Sequence, residues 1–142
     1  MGVVGLMATN RAAGMITQWR VSRAAQAYAE ELQSAFAIVG RDRKPVRILL
    51  NMNTLEVSLT NRDSTVTYRK RQLGRTSEYK LQPANVSASS TSLMIFPPGL
   101  AADTLTVTFT RNGKYRRVRL LRGGLVQVCS NPSTVNGPCT PA

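Results

Sequence analysis

Residues 104–121 read TLTVTFTRNGKYRRVRLL. Leu105, Val107 and Phe109 alternate with Thr104, Thr106, Thr108 and Thr110, the period of two that marks a strand with one buried face. Asn112-Gly113 is the favoured two-residue hairpin turn. The return strand, Lys114 to Leu121, sets Val118 and Leu120 on one face and Tyr115, Arg117 and Arg119 on the other. Downstream, Gly123-Gly124 turns the chain into Leu125 to Val128. Upstream, Leu93 to Phe96 is a short apolar strand ended by Pro97-Pro98-Gly99.

Further upstream the same period recurs. Val46, Ile48 and Leu50 alternate, Leu55, Val57 and Leu59 alternate, and the polar segment Asn51 to Thr54 joins them as a hairpin. Val66 and Tyr68 continue as a strand into the basic run Arg69-Lys70-Arg71. Residues 74–92 are polar, with Pro83 and a Ser/Thr cluster from Ser87 to Ser92, and read as a long surface connection.

Before Pro45 the period is helical. Val21, Ala25, Tyr28, Leu32, Phe36 and Val39 recur at spacings of three and four, and Val4, Met7, Ala12, Met15, Ile16 and Trp19 extend the pattern more loosely. One helix from about residue 3 to 40 follows, with Gly14 its weak point and Gly40 its stop. At about 1.5 Å per residue it reaches nearly 60 Å, longer than a domain of this size is wide, so its first part should protrude. The expected architecture is α+β, a long helix packed on an antiparallel meander. Residues 1–40 form the helix with its protruding start and residues 41–142 a β-rich head, together one domain.

Hydrophobic residues make up 42% of the 142 and charged residues 18%, enough for a folded core. Nineteen Lys and Arg against seven Asp and Glu give a formal charge of +12, which favours polyanionic partners. Histidine is absent, which removes the commonest general base and metal ligand. A Ser-His-Asp or Cys-His site cannot be built, two cysteines alone do not close a zinc site, and the carboxylates are scattered apart from adjacent Glu30 and Glu31. No catalytic residue, metal or cofactor is expected. Cys129 and Cys139 flank a segment containing Pro132, Gly137 and Pro138, and read as a disulfide in a looped tail and so as an oxidising compartment; two free thiols are the alternative. The apolar stretch Gly2 to Ala8 is far shorter than the roughly 20 residues of a membrane span.

Three stretches together resemble the type IV pilins and pseudopilins, and among them the FimT/GspH type of minor pilin. Trp19 to Val39 is similar to that family's run of Arg, Ala, Leu and Glu after the membrane part. Ile95-Phe96-Pro97-Pro98-Gly99 is similar to its phenylalanine-proline-glycine motif. Arg116 to Cys129 is similar to its closing pattern of arginine, alternating hydrophobics, a glycine turn and a valine strand ending in cysteine. The resemblance implies a minor pilin of a type IV pilus or, alternatively, a pseudopilin with a structural role in type II secretion. It implies assembly with other pilin or pseudopilin subunits through the helix bearing Val4, Met7, Met15, Ile16 and Trp19. It further implies a bacterial envelope location: inner membrane before assembly, through an N-terminal segment whose last turns Val3 to Ala8 would be, and periplasm or surface pilus afterwards. Trp19, Tyr28 and Phe36 read as core or filament-interface residues.

Some minor pilins of this type bind DNA in natural transformation through a C-terminal glycine-arginine-any-arginine motif. The matching position here, Gly124-Leu125-Val126-Gln127, carries neither arginine. Cations crowd the preceding hairpin arm instead: Lys114, Arg116, Arg117, Arg119 and Arg122, with Tyr115 among them. Arg117 and Arg119 share a face with Tyr115, a phosphate-tracking row with one stacking ring, and Arg69 and Arg71 would form a second row. The alternatives are edge-strand charges that blunt sheet pairing, and a site for an acidic protein.

Overall fold

A computed structural model describes the backbone of residues 2–129 and 139–141 and the side chains of residues 15–129. Helix α1 (Gly2–Asp42) runs unbroken for 41 residues, about 60 Å at 1.5 Å per residue. It passes Gly14 without a break and ends two residues beyond Gly40. Arg43 takes the left-handed conformation (φ +54°) and its N–H reaches the carbonyl of Val39 at 2.9 Å, so the arginine closes the helix.

Among the described residues ten strands follow: β1 (Val46–Leu50), β2 (Glu56–Asn61), β3 (Thr67–Gln72), β4 (Val86–Ala88), β5 (Ser92–Phe96), β6 (Leu100–Ala101), β7 (Leu105–Arg111), β8 (Lys114–Leu120), β9 (Val126–Cys129) and β10 (Cys139–Pro141). They do not form one meander. Two five-stranded sheets are built, in the orders β3-β2-β1-β5-β6 and β10-β9-β8-β7-β4. The difference has two causes. Strand β5 returns to the first hairpin and pairs antiparallel with β1, Ile48 facing Leu93, while β4 crosses to pair with β7, Val86 facing Phe109. Neither long-range pairing leaves a local mark in the sequence.

The hairpins read from the sequence are present. Asn112 and Gly113 both have positive φ (+51° and +79°), as a tight turn between right-twisted strands requires. Leu105, Val107 and Phe109 face inward, opposite Leu120, Val118 and Arg116. The connection 74–92 differs from expectation. A 3-10 turn (Pro83–Asn85) and β4 lie within it, and Tyr79, Leu81 and Val86 along its course are buried. These apolar residues sit singly among polar ones, so they carry no periodic signal.

Helix α1 contacts β7, β8 and β9 of one sheet and β1, β2 and β5 of the other, so both sheets close on its C-terminal half. Five alanines of that half (Ala24, Ala25, Ala27, Ala29 and Ala35) are buried, which lets the sheets approach the helix backbone closely. Larger side chains fill the remaining space. Tyr28 meets Phe109 edge to face, ring centroids 5.9 Å apart, and both are fully buried. Such a pair contributes roughly 0.5–1.5 kcal/mol beyond its area burial.

Candidate functional site

Two surfaces carry chemistry that the core does not consume. The first is the start of the helix. Burial on the domain begins at Val21; before it Met15, Ile16 and Trp19 are 71%, 51% and 49% exposed. Trp19 also lies beneath the Arg23 guanidinium, 5.9 Å from its ring centroid, a cation–π contact that covers one side of the indole. Residues 15–20 are thus helical without a core to bury against, which in a water-exposed helix leaves apolar surface for a partner. Val4 and Met7 lie on the same helix, with side chains outside the described residues.

The second surface is the outer face of the β7–β8–β9 sheet. Strand β8 is an interior strand of that sheet, flanked by β7 and β9, so its register fixes what each cation faces. Arg119 stands between Thr106 and Gln127, Arg117 between Thr108 and Cys129, and Tyr115 opposite Thr110. Alternate residues on a strand lie nearly 7 Å apart. Tyr115, Arg117 and Arg119 therefore form one row, flanked by threonine hydroxyls, with Tyr115 and Arg119 exposed and Arg117 half-buried.

The remaining expected cations are not part of that row. Arg116 points to the opposite face, opposite Phe109, with its Nη1 donating to the Tyr115 carbonyl at 2.9 Å. Lys114 starts the strand on that same face, opposite Arg111. Arg122 lies beyond the strand end, its Nη2 3.3 Å from Asp103 Oδ1. A hydrogen bond from the Thr104 backbone and another from Arg122 hold the Asp103 carboxyl below its ordinary range. Arg69 and Arg71 make no second row. Both turn onto helix α1, Arg69 to Glu31 and Arg71 to Glu30 and Glu31, at 3.0–3.3 Å. The sequence reading missed these pairs because helix and strand lie about 40 positions apart, and adjacent Glu30 and Glu31 looked unconnected to anything.

Among the described residues no cluster of acidic, cysteine or histidine side chains is placed to hold a metal, and no helix is long and apolar enough to cross a membrane. The two cysteines occupy directly facing positions, Cys129 of β9 opposite Cys139 of β10.

No protein-family profile and no curated protein sequence matches the chain significantly. Solved structures do. The type IV minor pilin FimU of Pseudomonas aeruginosa matches in two crystal forms. In one the TM-score is 0.62 at 17% identity, over 83% of this chain and 92% of that one. In the other it is 0.61 at 17% identity, over 83% and 97%. The minor pseudopilin EpsH of the type 2 secretion system of Vibrio cholerae matches with a TM-score of 0.56 at 10% identity, over 78% and 97%. At such identities the likeness is one of backbone fold alone, shared with a type IV minor pilin and a minor pseudopilin.

Proposed function

We propose that the protein is a minor-pilin-type subunit, structural rather than enzymatic, that joins other pilin or pseudopilin subunits through the first half of α1. The observation that carries this is the division of one continuous helix at Trp19–Val21. From Val21 to Val39 one face of the helix is buried in the domain, and the large apolar side chains just before it, Met15, Ile16 and Trp19, are bare. The fold shared with FimU and EpsH supports the same reading. The subunit would belong to the bacterial envelope, inserted in the inner membrane before assembly and in a periplasmic or surface filament afterwards. Cys129 and Cys139 would close the tail as a disulfide. Facing residues of antiparallel strands have Cα atoms about 4.5–5.5 Å apart, inside the range a disulfide spans.

The test uses the bacterium that encodes the protein. Sheared surface filaments are probed for the parent chain and for Ile16→Asp and Trp19→Asp, two exposed positions whose change should leave the fold intact. Loss of both variants from the filament fraction is expected; full incorporation of either would refute helix-mediated assembly. The likeness to EpsH favours a second reading, a type II secretion pseudopilin. In that case the variants should abolish exoprotein release and leave surface pili unchanged.

A finer function, DNA capture, rests on the outward row of Tyr115, Arg117 and Arg119 and on the +12 charge. Arginine forks suit phosphate oxygens, and a strand face spaces them on the order of successive phosphates on one strand.

A further inference from the structure

Beside the C-terminal end of α1, opposite its bare start, lies an apolar patch with a basic border. Phe96 and Leu100 are directly facing residues of β5 and β6 on the outward face of their sheet, and the turn between them is Pro97-Pro98-Gly99. The turn is tight: the Gly99 N–H reaches the Phe96 carbonyl at 2.7 Å. A second turn, 121–125, abuts it. A Cβ on Gly124 (φ +94°) would lie 3.1 Å from the Gly99 carbonyl oxygen and 3.3 Å from the Phe36 ring, so only glycine lets the two turns meet. Leu125 follows directly. Phe96, Leu100 and Leu125 are 36%, 54% and 44% exposed, three of the few large apolar side chains left uncovered on the packed domain.

The border is cationic. Arg43 and the prolines Pro97 and Pro98 line one hollow with Val39 and Gly40, Lys44 follows Arg43, and both cations are exposed. On the other side Arg122, whose carbonyl accepts the Ala101 N–H, is exposed beside Asp103. Counting Arg41 and the Asp42 it pairs with, four cations thus stand against two carboxylates.

We infer that this pole is a docking surface for a separate protein whose face is apolar at the centre and acidic at the edge. Charge selects the occupant. A second copy would bring the same basic border against this one in a molecule already at +12, so self-association through the patch is disfavoured. A lipid surface fits less well, because Phe96 and Leu100 lie partly covered on a sheet face and do not project as a tip that could enter a bilayer. An acidic rim on a partner instead finds Arg43, Lys44 and Arg122 and steers the apolar centres together. Trp19 and Val39 are twenty positions apart on the helix, about 30 Å, so this contact and the one at the helix start can be made at once. The inference does not depend on DNA capture.

The experiment places p-benzoylphenylalanine at Leu100 of the full chain in its native host, with the same replacement at Asn53, on a distant turn, as control. Illumination should yield an adduct from position 100 and none from position 53, with a protein of net negative charge. Arg43→Glu combined with Arg122→Glu should cut its yield about tenfold, as expected when two charge pairs turn repulsive. Arg62→Glu with Arg75→Glu makes the same change in net charge elsewhere and should leave the yield unaltered, with thermal melts confirming that each variant folds. No adduct, an adduct with a second copy or with lipid, or a yield indifferent to the Arg43/Arg122 reversal would each overturn the proposal.

Discussion

Arg69 of β3 grips Glu31 of helix α1 through two hydrogen bonds, Nε to Oε2 at 3.1 Å and Nη2 to Oε1 at 3.0 Å. Arg71 adds a third, Nη1 to Glu31 Oε1, at 3.3 Å. The Glu31 side chain is 1% exposed, whereas Arg69 remains half in water. This asymmetry makes Glu31 the costly partner to orphan, because a buried carboxylate without its cation keeps its full desolvation penalty. Arg69→Met should therefore destabilise the domain by about 2–3 kcal/mol in urea unfolding, less than a wholly buried pair because Arg71 and water remain. Adding Glu31→Leu should recover most of that loss. A double variant no more stable than Arg69→Met would show that the pair acts otherwise than by burying a charge.

Alkaline unfolding should report on Tyr28. Burial raises its phenol above the ordinary value near 10, so the folded state holds that proton at pH values where the unfolded chain releases it. The folded pKa is the higher one. The contribution is complete below about pH 10 and is lost as pH rises beyond it, at up to about 1.4 kcal/mol per pH unit. Tyr28→Phe should flatten the fall of stability between pH 10 and 11 by about that amount. Parallel curves for parent and variant would exclude Tyr28 as the group responsible.

Gly74 sits where the chain leaves β3, and a Cβ there would come within 2.3 Å of the Thr54 carbonyl oxygen. Backbone cannot yield as a flexible side chain does. Gly74→Ala should cost about 1–3 kcal/mol, measured by thermal or urea unfolding. Gly113→Ala is the comparison, since that glycine has open space around it and only its positive φ to lose.

How much of this was legible in the sequence depended on whether a contact is local. The helix stripe Val21–Val39 and the hairpin around Asn112-Gly113 obey short periods, and both are found. The β1–β5 and β4–β7 pairings join segments with nothing local in common, so two sheets looked like one meander. The site divided likewise. Strand alternation placed Tyr115, Arg117 and Arg119 on one face, but a cation count cannot separate Arg119, exposed on a sheet, from Arg69, bound to a helix carboxylate.

DNA capture predicts a salt signature. Parent protein should bind duplexes of unrelated sequence alike. Arg117→Gln with Arg119→Gln should flatten the slope of log affinity against log salt by up to about two, near 0.9 per phosphate contact. Fluorescence polarisation at several salt concentrations measures it. Absence of binding by the parent at low salt, or an unchanged slope in the folded variant, would remove this face as a DNA site.

Reduction and alkylation, read by mass, test the tail. Without reductant neither Cys129 nor Cys139 should label, and with it both should, with a lower melting temperature for the reduced chain. Labelling of both cysteines in native, unreduced protein would rule the bond out.

The central claim is that α1 serves two masters, the domain from Val21 onward and other subunits before it. Removing residues 2–18 and melting the remainder by circular dichroism tests it most directly. A domain that needs nothing before Trp19 should melt within about 2 °C of the full chain, a shift of well under 1 kcal/mol, and be absent from sheared filaments. A truncated chain that is unfolded, or one that still enters filaments at the parent level, would contradict the account.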